Sequence, residues 1–224
     1  MIDIKDVSLI LHTCDKYNHL WSGWVYYFKK FWDHDGMNGL KIYFVNERYN
    51  IGNLLAGTNI QQLKTFEGEW SDRLLTALKS IKEKYVFYMQ EDFWPYRSIN
   101  DLKPPLPINQ LFEKLDMNCL HIQSGIRLNS KHFKLEEVSG YEGLFKFLPD
   151  SDYLVNHQFG LWKKDFFISC LETNESAWVN ELEGTKRITG KDNKIYALNF
   201  DWYNNVCRKG QITVDGLIMI NNIK

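Results

Sequence analysis

Neither sign of charge dominates this chain: 27 Lys and Arg stand against 28 Asp and Glu, a formal net charge of −1. No global field steers such a molecule onto nucleic acid or an anionic membrane, so an anionic ligand has to be held by a local site. Cysteine is scarce. Cys14, Cys119, Cys170 and Cys207 lie far apart and form no CxxC pair, which argues against a zinc site and a disulfide framework and fits a reduced, cytoplasmic setting. No apolar run approaches the roughly 20 residues of a membrane span. The opening stretch MIDIKDVSLILHTCDKY places Asp3, Lys5 and Asp6 before the short run Val7–Leu11, without the length or flanks of a signal peptide. A Gly-rich phosphate loop, a GxSxG elbow, an HExxH pair and a kinase signature are all missing, which excludes P-loop nucleotide hydrolases, common serine hydrolases and zincins. Proline numbers five, three of them within Asn100–Pro107. That segment reads as a bend, because composition does not shift across it, and one domain over residues 1–224 is expected.

Aromatic residues, by contrast, are plentiful: 8 Trp, 12 Tyr and 14 Phe, or 15% of the chain. A chain of 224 residues buries about 70% of the surface its unfolded form exposes. Such bulky apolar groups supply one large core and exclude disorder. Two uses are open for them, core filling or stacking against rings of sugar or base. Most fall in apolar runs such as YVFYM and WVYYFKKFW, which are assigned to core. Trp94, Tyr153, Phe159, Trp162 and Trp178 are the candidates for stacking.

Along the first half, apolar runs of strand length alternate with helical spacing. Val7–His12, Lys41–Val45, Ile60–Phe66 and Tyr85–Met89 read as strands, Tyr17–Trp32 and Trp70–Lys84 as helices. Strands apolar at every position are buried on both faces, the mark of a parallel sheet between crossover helices. A doubly wound α/β unit is expected. Farther on, Leu120–Gln123 reads as a strand and Phe133–Tyr153, with Gly140 and Gly143, as a hairpin or mobile loop. Leu161–Leu171, a segment from Asn174 or Ser176 to about Glu183, and Asn199–Arg208 read as helices; Ile212–Ile220 reads as a strand.

In open α/β sheets ligands bind beyond the carboxyl ends of the strands, where strand order reverses. This selects Thr13, Cys14, Asp15 and Lys16 after the first strand, Asn46 and Glu47 after the second, and Gln90, Glu91 and Asp92 after the fourth. Two carboxylates at the mouth of an apolar strand are costly unless a cation or donors compensate them, and hard oxygens suit Mg or Mn. From spacing alone, a pair of ordinary solvated residues at a strand end is equally open.

The run EKYVFYMQEDFWP (Glu83–Pro95) resembles the strand and metal-binding turn of GT-A nucleotide-sugar glycosyltransferases, whose DxD-type motif holds a divalent cation against the donor diphosphate. The aligned triplet is Gln90-Glu91-Asp92. Asp92 matches the metal-ligand position, Glu91 the variable middle, and Gln90 departs from the first acidic position. VSLILHTCDKY resembles the family's first strand and nucleotide-gripping turn, which implies nucleoside contacts for Thr13 and Asp15, with Asn46 beside them. EWSDRLLTAL resembles the helix before the metal strand. Ser71 can cap that helix, and Arg73 reaches either a phosphate, through its fork of donors, or a surface partner, Asp72 or Glu69.

HQFGLWKKDFF (His157–Phe167) followed by NESAWVNELEGTKR (Asn174–Arg187) resembles paired segments of small bacterial and viral glycosyltransferases, Gln-x-x-Ile-Trp-Lys-Lys and Pro-Trp-Glu-x-Glu. Ala177 replaces the proline and Val179 the first glutamate, leaving Trp178 and Glu181 in place. The resemblance implies a single GT-A domain with a mostly parallel sheet, a nucleotide-binding half over 1–95 and an acceptor-side half over 96–224. It implies transfer of a hexosyl or deoxyhexosyl unit from a UDP- or dTDP-type sugar to a glycan hydroxyl, with inversion, for polysaccharide biosynthesis. Glu181 is the expected base and Glu183 the second choice; their spacing on a helix lets at most one face the cleft. Mn or Mg is expected at Asp92, with His157 as a further ligand. Trp94, Trp162 and Trp178 are expected at the acceptor. A nucleotidyltransferase of related fold and a non-catalytic carbohydrate-binding protein derived from a transferase are the alternatives.

Overall fold

Strand order in the central sheet, more than its size, is what creates a site in this protein. The computed structural model describes residues 2–32, 39–124 and 128–223. β1 (Val7–His12), β2 (Lys41–Asn46), β3 (Ile60–Lys64) and β4 (Tyr85–Gln90) are parallel, with β1 between β2 and β4. After the short β5 (Phe93–Pro95) come β6 (Cys119–Gln123), β7 (Leu135–Glu137), β8 (Leu144–Phe147), β9 (Gly160–Lys163) and β10 (Ile195–Asn199). The sheet runs β3-β2-β1-β4-β9-β6-β10-β8-β7. β9 lies antiparallel between β4 and β6, while β6 and β10 are parallel to each other. Strand order therefore reverses beside β1.

Helices cover both faces, as the fully apolar strands require. α1 (Asn18–Phe31) buries Leu20, Trp24 and Phe28 in one cluster with Leu9, Leu11, Phe44 and Phe87. After the short α2 (Gly52–Leu55), α3 (Trp70–Ser80) packs Leu74 and Leu78 on the opposite face against Ile10, Val86 and Tyr88. Alternate residues of β1 thus enter opposite clusters, and every residue of that strand is buried. The chain continues through α4 (Ile108–Lys114), α5 (Lys164–Ser169), α6 (Ala177–Ile188) and α7 (Val214–Asn221).

The early strands and helices lie where their periodicity puts them, and Phe133–Tyr153 forms the β7–β8 hairpin. α3 stops at Ser80, because Ile81 turns to extended backbone and buries its side chain in the second cluster. Three segments differ. Leu161–Leu171 begins as β9, since an apolar run this short fits a buried strand as well as a helix. Asn199–Arg208 is not a helix: Tyr203–Asn205 forms β11, paired antiparallel with β5, and Cys207–Arg208 forms β12, paired with β13 (Gln211–Ile212). Ile212–Ile220 is mostly α7, begun by Thr213, whose hydroxyl accepts from the Gly216 N–H at 3.0 Å. Tyr27 anchors that helix by donating to the Met219 carbonyl at 2.7 Å.

Trp94 belongs to this core, not to an acceptor surface. It is 1% exposed, lies against Tyr27 and Gly23, and donates its indole N–H to the Glu91 carbonyl at 3.0 Å. A methyl group at Gly23 would sit inside the Trp94 ring. Gly23→Ala is expected to cost about 1–3 kcal/mol by overpacking, read as a lowered midpoint in urea unfolding; an unchanged midpoint would show that the α1–β5 contact yields freely.

Candidate active site

The reversal of strand order beside β1 opens a cavity of about 430 Å³ at the carboxyl ends of β1 and β4. Its walls include Thr13, Lys16, Arg73, Gln90, Glu91 and Asp92, the first residues of the α6 segment, Ser176 and Ala177, and Lys209. β1 ends at His12 opposite Gln90 of β4, so the turns that follow these strands are neighbours.

Asp15 and Asn46 organise the turns of this mouth. The Asp15 carboxylate accepts from the Asn46 side chain at 3.0 Å and from the backbone N–H of Arg48 and Tyr49 at 2.9 and 3.0 Å. Burial pushes the Asp15 carboxyl up, but Asn46 and these backbone donors outweigh it and hold its pKa below the ordinary value. Glu47 returns the connection by accepting from the Asp15 N–H at 2.8 Å. Asn46 is fully buried and also receives Gln62 at 2.7 Å. Asp15, one of the two side chains expected to touch the nucleoside, and Asn46 beside it thus hold the β1 and β2 turns together. Thr13 accepts from the Trp21 indole at 2.8 Å.

Arg73 takes neither Asp72 nor Glu69 as its partner. It ion-pairs with Glu47 at 3.2 Å, donates to the Gly68 carbonyl, and is 7% exposed at the cavity wall. Its helix delivers it across the cleft to the β2 turn, a partner 26 residues away in sequence.

Glu91 and Asp92 are the carboxyl groups that the end of β4 brings to the cavity. Burial and the adjacent Asp92 charge push the Glu91 carboxyl up to about 8, against the opposing effects of Thr13 and Arg73. The folded protein holds that proton more tightly than the unfolded chain, so stability from this group falls as pH rises from the ordinary value of 4.5 to about 8. Glu91→Gln is therefore expected to raise Tm at pH 8, by roughly 2–4 °C per kcal/mol relieved, and to leave it unchanged near pH 4. Parallel melting profiles across that range would contradict the assignment.

His157 is not a metal ligand of this site. It is 2% exposed and packed on Trp70, ring centroids 4.2 Å apart, and on Tyr88 at 5.7 Å. Burial holds its pKa down to about 3, so the imidazole is neutral core. Among the described residues no group of three or more His, Cys, Asp or Glu is placed to hold a metal ion. Two hard carboxylates, one of them raised by burial and by the other's charge, still fit Mg or Mn, which take one or two protein carboxylates and complete their shell with waters and substrate phosphates. Gln90 does not add a charge; its amide donates to the Tyr88 hydroxyl at 3.2 Å.

A second cavity, of about 410 Å³, includes Glu181, Gln158, Asn156, Tyr153 and Gln123. Glu181 is half-buried, and its Oε1 accepts from the His157 N–H at 2.9 Å. Burial raises its carboxyl above the ordinary range, against that hydrogen bond. Glu183 faces away from this cavity, exposed and paired with Lys186 at 2.6 Å, as helical spacing requires if Glu181 faces in. Trp162 is also core: it is fully buried and stacked on Phe167 at 4.4 Å. Trp178 is 59% exposed, next to Ala177 at the rim of the first cavity, with the Lys209 ammonium 5.7 Å from its ring centroid.

Sequence reasoning misses Lys209, Gln123 and Asn156. Lys209 sits in the β12–β13 turn, where Lys209 and Gly210 both have positive φ, 51° and 77°. A two-residue turn with Gly second is the hairpin signal that finds it. Gln123 closes the strand read over Leu120–Gln123, and its carboxyl-end position is the signal that finds it; no short-range signal marks Asn156.

Solved structures share this architecture. The S. aureus TarS 1–349 structure in complex with UDP-GlcNAc aligns with a TM-score of 0.60 at 15% identity, over 92% of this chain and 60% of that one. Glucosyl-3-phosphoglycerate synthase from Mycobacterium tuberculosis, in complex with Mn2+ and uridine-diphosphate-glucose, aligns with a TM-score of 0.54 at 9% identity, over 97% of this chain and 76% of that one. An apo UDP-glucose pyrophosphorylase aligns with a TM-score of 0.53 at 13% identity, over 92% of this chain and 93% of that one. The chain thus spans three fifths of the TarS 1–349 length that it matches. No family model and no curated protein sequence matches it. The fold is of the GT-A type, as the resemblance in the sequence implies.

Proposed function

We propose that the chain is a glycosyltransferase that moves a sugar from a UDP- or dTDP-type donor to a carbohydrate hydroxyl by direct displacement with inversion. One observation carries this reading: a single helix, α6, presents its N-terminus to a cavity with paired carboxylates and a carboxylate side chain, Glu181, to a second cavity. The N-terminus of α6, Lys16, Lys209 and Arg73 make the first cavity suited to a diphosphate, since exposed helix N–H groups and cationic side chains favour anions. TarS and the mycobacterial synthase, which share the fold, hold UDP-GlcNAc and UDP-glucose in their structures.

Asp92, assisted by Glu91, would hold Mg or Mn, whose charge when bound offsets the charge growing on the leaving diphosphate. Glu181 takes the proton from the acceptor hydroxyl as its oxygen bonds to the anomeric carbon, while the bond from that carbon to the diphosphate oxygen breaks and the nucleoside diphosphate departs. Asp15 and Asn46 act at one remove, by fixing the turns that carry Thr13 and Lys16.

Calorimetry with UDP, GDP and dTDP, with and without Mn, tests this reading. UDP or dTDP binding that tightens with Mn supports it; sugar binding without nucleotide binding favours a carbohydrate-binding module instead. The likeness to the pyrophosphorylase over 93% of that chain supports one rival, a nucleotidyltransferase. UTP formed from UDP-glucose and pyrophosphate would establish that rival. The turn after β1 speaks against it, because it carries no glycine-rich basic stretch and is filled by Asp15.

A further inference from the structure

The two cavities differ in chemistry. The second is lined by the amides of Gln123, Asn156 and Gln158, by the rings of His132 and Tyr153, and by Glu181. Among its described lining residues none is Lys or Arg. Gln123 is fully buried; its Nε2 donates to Asn156 Oδ1 at 3.0 Å, whereas its Oε1 has no hydrogen-bond partner among the described residues. A buried acceptor without a donor is destabilising, and native proteins seldom tolerate one without a reason. Asn156 is fixed in turn, its Nδ2 reaching His121 Nε2 at 3.2 Å and donating to the Tyr153 carbonyl at 3.1 Å. Tyr153 holds φ at +52°, a strained backbone for a residue with a side chain, and its ring meets His132 edge to face at 5.8 Å. Such strain persists only where surrounding structure enforces it, and it concentrates at ligand sites.

We propose that this cavity receives the acceptor as an uncharged pyranose, with hydroxyls bound by the Gln123 Oε1, which Asn156 holds in place, and by the Gln158 amide, and with a ring face laid on Tyr153. The proposal rests on the transferase reading, and it deepens that reading by naming the class of acceptor. Amides donate and accept at once, which suits hydroxyls that do the same. A phosphate or carboxylate on the acceptor would meet the carboxylate of Glu181, and like charges there repel.

Saturation-transfer NMR on the whole chain tests this, with methyl hexopyranosides, methyl glucuronide and glucose 6-phosphate as probes, each with saturating UDP and Mn. A neutral glycoside is expected to bind while UDP is bound, and the two charged probes to bind at least about tenfold more weakly. Tyr153→Ala is expected to weaken the neutral glycoside by about tenfold, Tyr153→Trp to retain it, and both to keep wild-type UDP affinity. Tighter binding of a charged probe overturns the proposal. So does displacement of the glycoside by UDP, which would place it in the first cavity, or an absence of glycoside binding beside normal UDP binding, which leaves the transferase reading standing. Glycoside binding without UDP binding overturns the transferase reading and the acceptor assignment with it.

Discussion

Glutamine in place of Glu181 is expected to lower turnover by a factor of roughly 10² to 10⁴, the range general bases contribute, while UDP affinity stays near the wild-type value. Glutamine keeps the carbonyl oxygen that accepts the His157 N–H at 2.9 Å, so the local backbone keeps its partner and only the proton acceptor is lost. The pH profile adds a second readout. A base works ionised, and burial raises the Glu181 carboxyl above its ordinary 4.5. Turnover of the wild type should therefore rise with pH through a limb displaced upward from the ordinary carboxylate range, and the variant should lack that limb. Ionising Glu181 in the folded state costs stability, so the glutamine variant is expected to be no less stable than the wild type at neutral pH. Equal losses of turnover and UDP affinity would instead show that Glu181 holds the His157 segment in place and takes no proton.

Asp92→Ala is expected to reduce transfer by about 10³-fold or more, the scale of several kcal/mol of charge stabilisation at the leaving group. UDP binding should lose its dependence on Mn in this variant. The fold should survive, because alanine retains the backbone carbonyl of Asp92, which accepts the N–H of Val206, between β11 and β12, at 2.8 Å. Removing the neighbouring charge also lets the Glu91 pKa fall back from about 8 toward the ordinary range. Unchanged turnover with Mn-dependent UDP binding intact would end the assignment of Asp92 as a cation ligand.

Both predictions rest on residues that are legible in the sequence, for a reason that is local. Asp92 stands directly after an apolar strand, so its position at the sheet's carboxyl edge follows once β4 is recognised. Glu181 lies one turn inside a capped helix, where Ser176 accepts from the Val179 N–H at 3.2 Å. Helical spacing then separates it from Glu183 without further information. The first four strands are equally legible, because strands buried on both faces are apolar at nearly every position.

Failures cluster where the deciding neighbour is distant in sequence. Trp94 and Trp162 look like stacking surfaces beside a cleft, but whether an indole meets solvent depends on what covers it. Gly23 and Tyr27 of α1 cover the first, and His121 of β6, together with Phe167, the second. Arg73 follows two acidic residues in sequence, Glu69 and Asp72, yet pairs with Glu47 of the β2 turn. Asn199–Arg208 has spacing that fits a helix, and its pairing with β5, some 110 residues earlier, makes it strand.

By itself the sequence determines the first four buried strands and the carboxylates at the end of β4, since hydrophobic period and strand ends are short-range properties; the reversal of strand order beside β1 is a property of the tertiary structure. Only the tertiary structure decides which polar groups remain available to a ligand. Asp15 and Asn46 sit at the right strand ends and are consumed by each other and by backbone donors, while Lys209 and Gln123 come from distant segments to line the two cavities. A side chain's chemistry is fixed by its type, but its partners are fixed by packing.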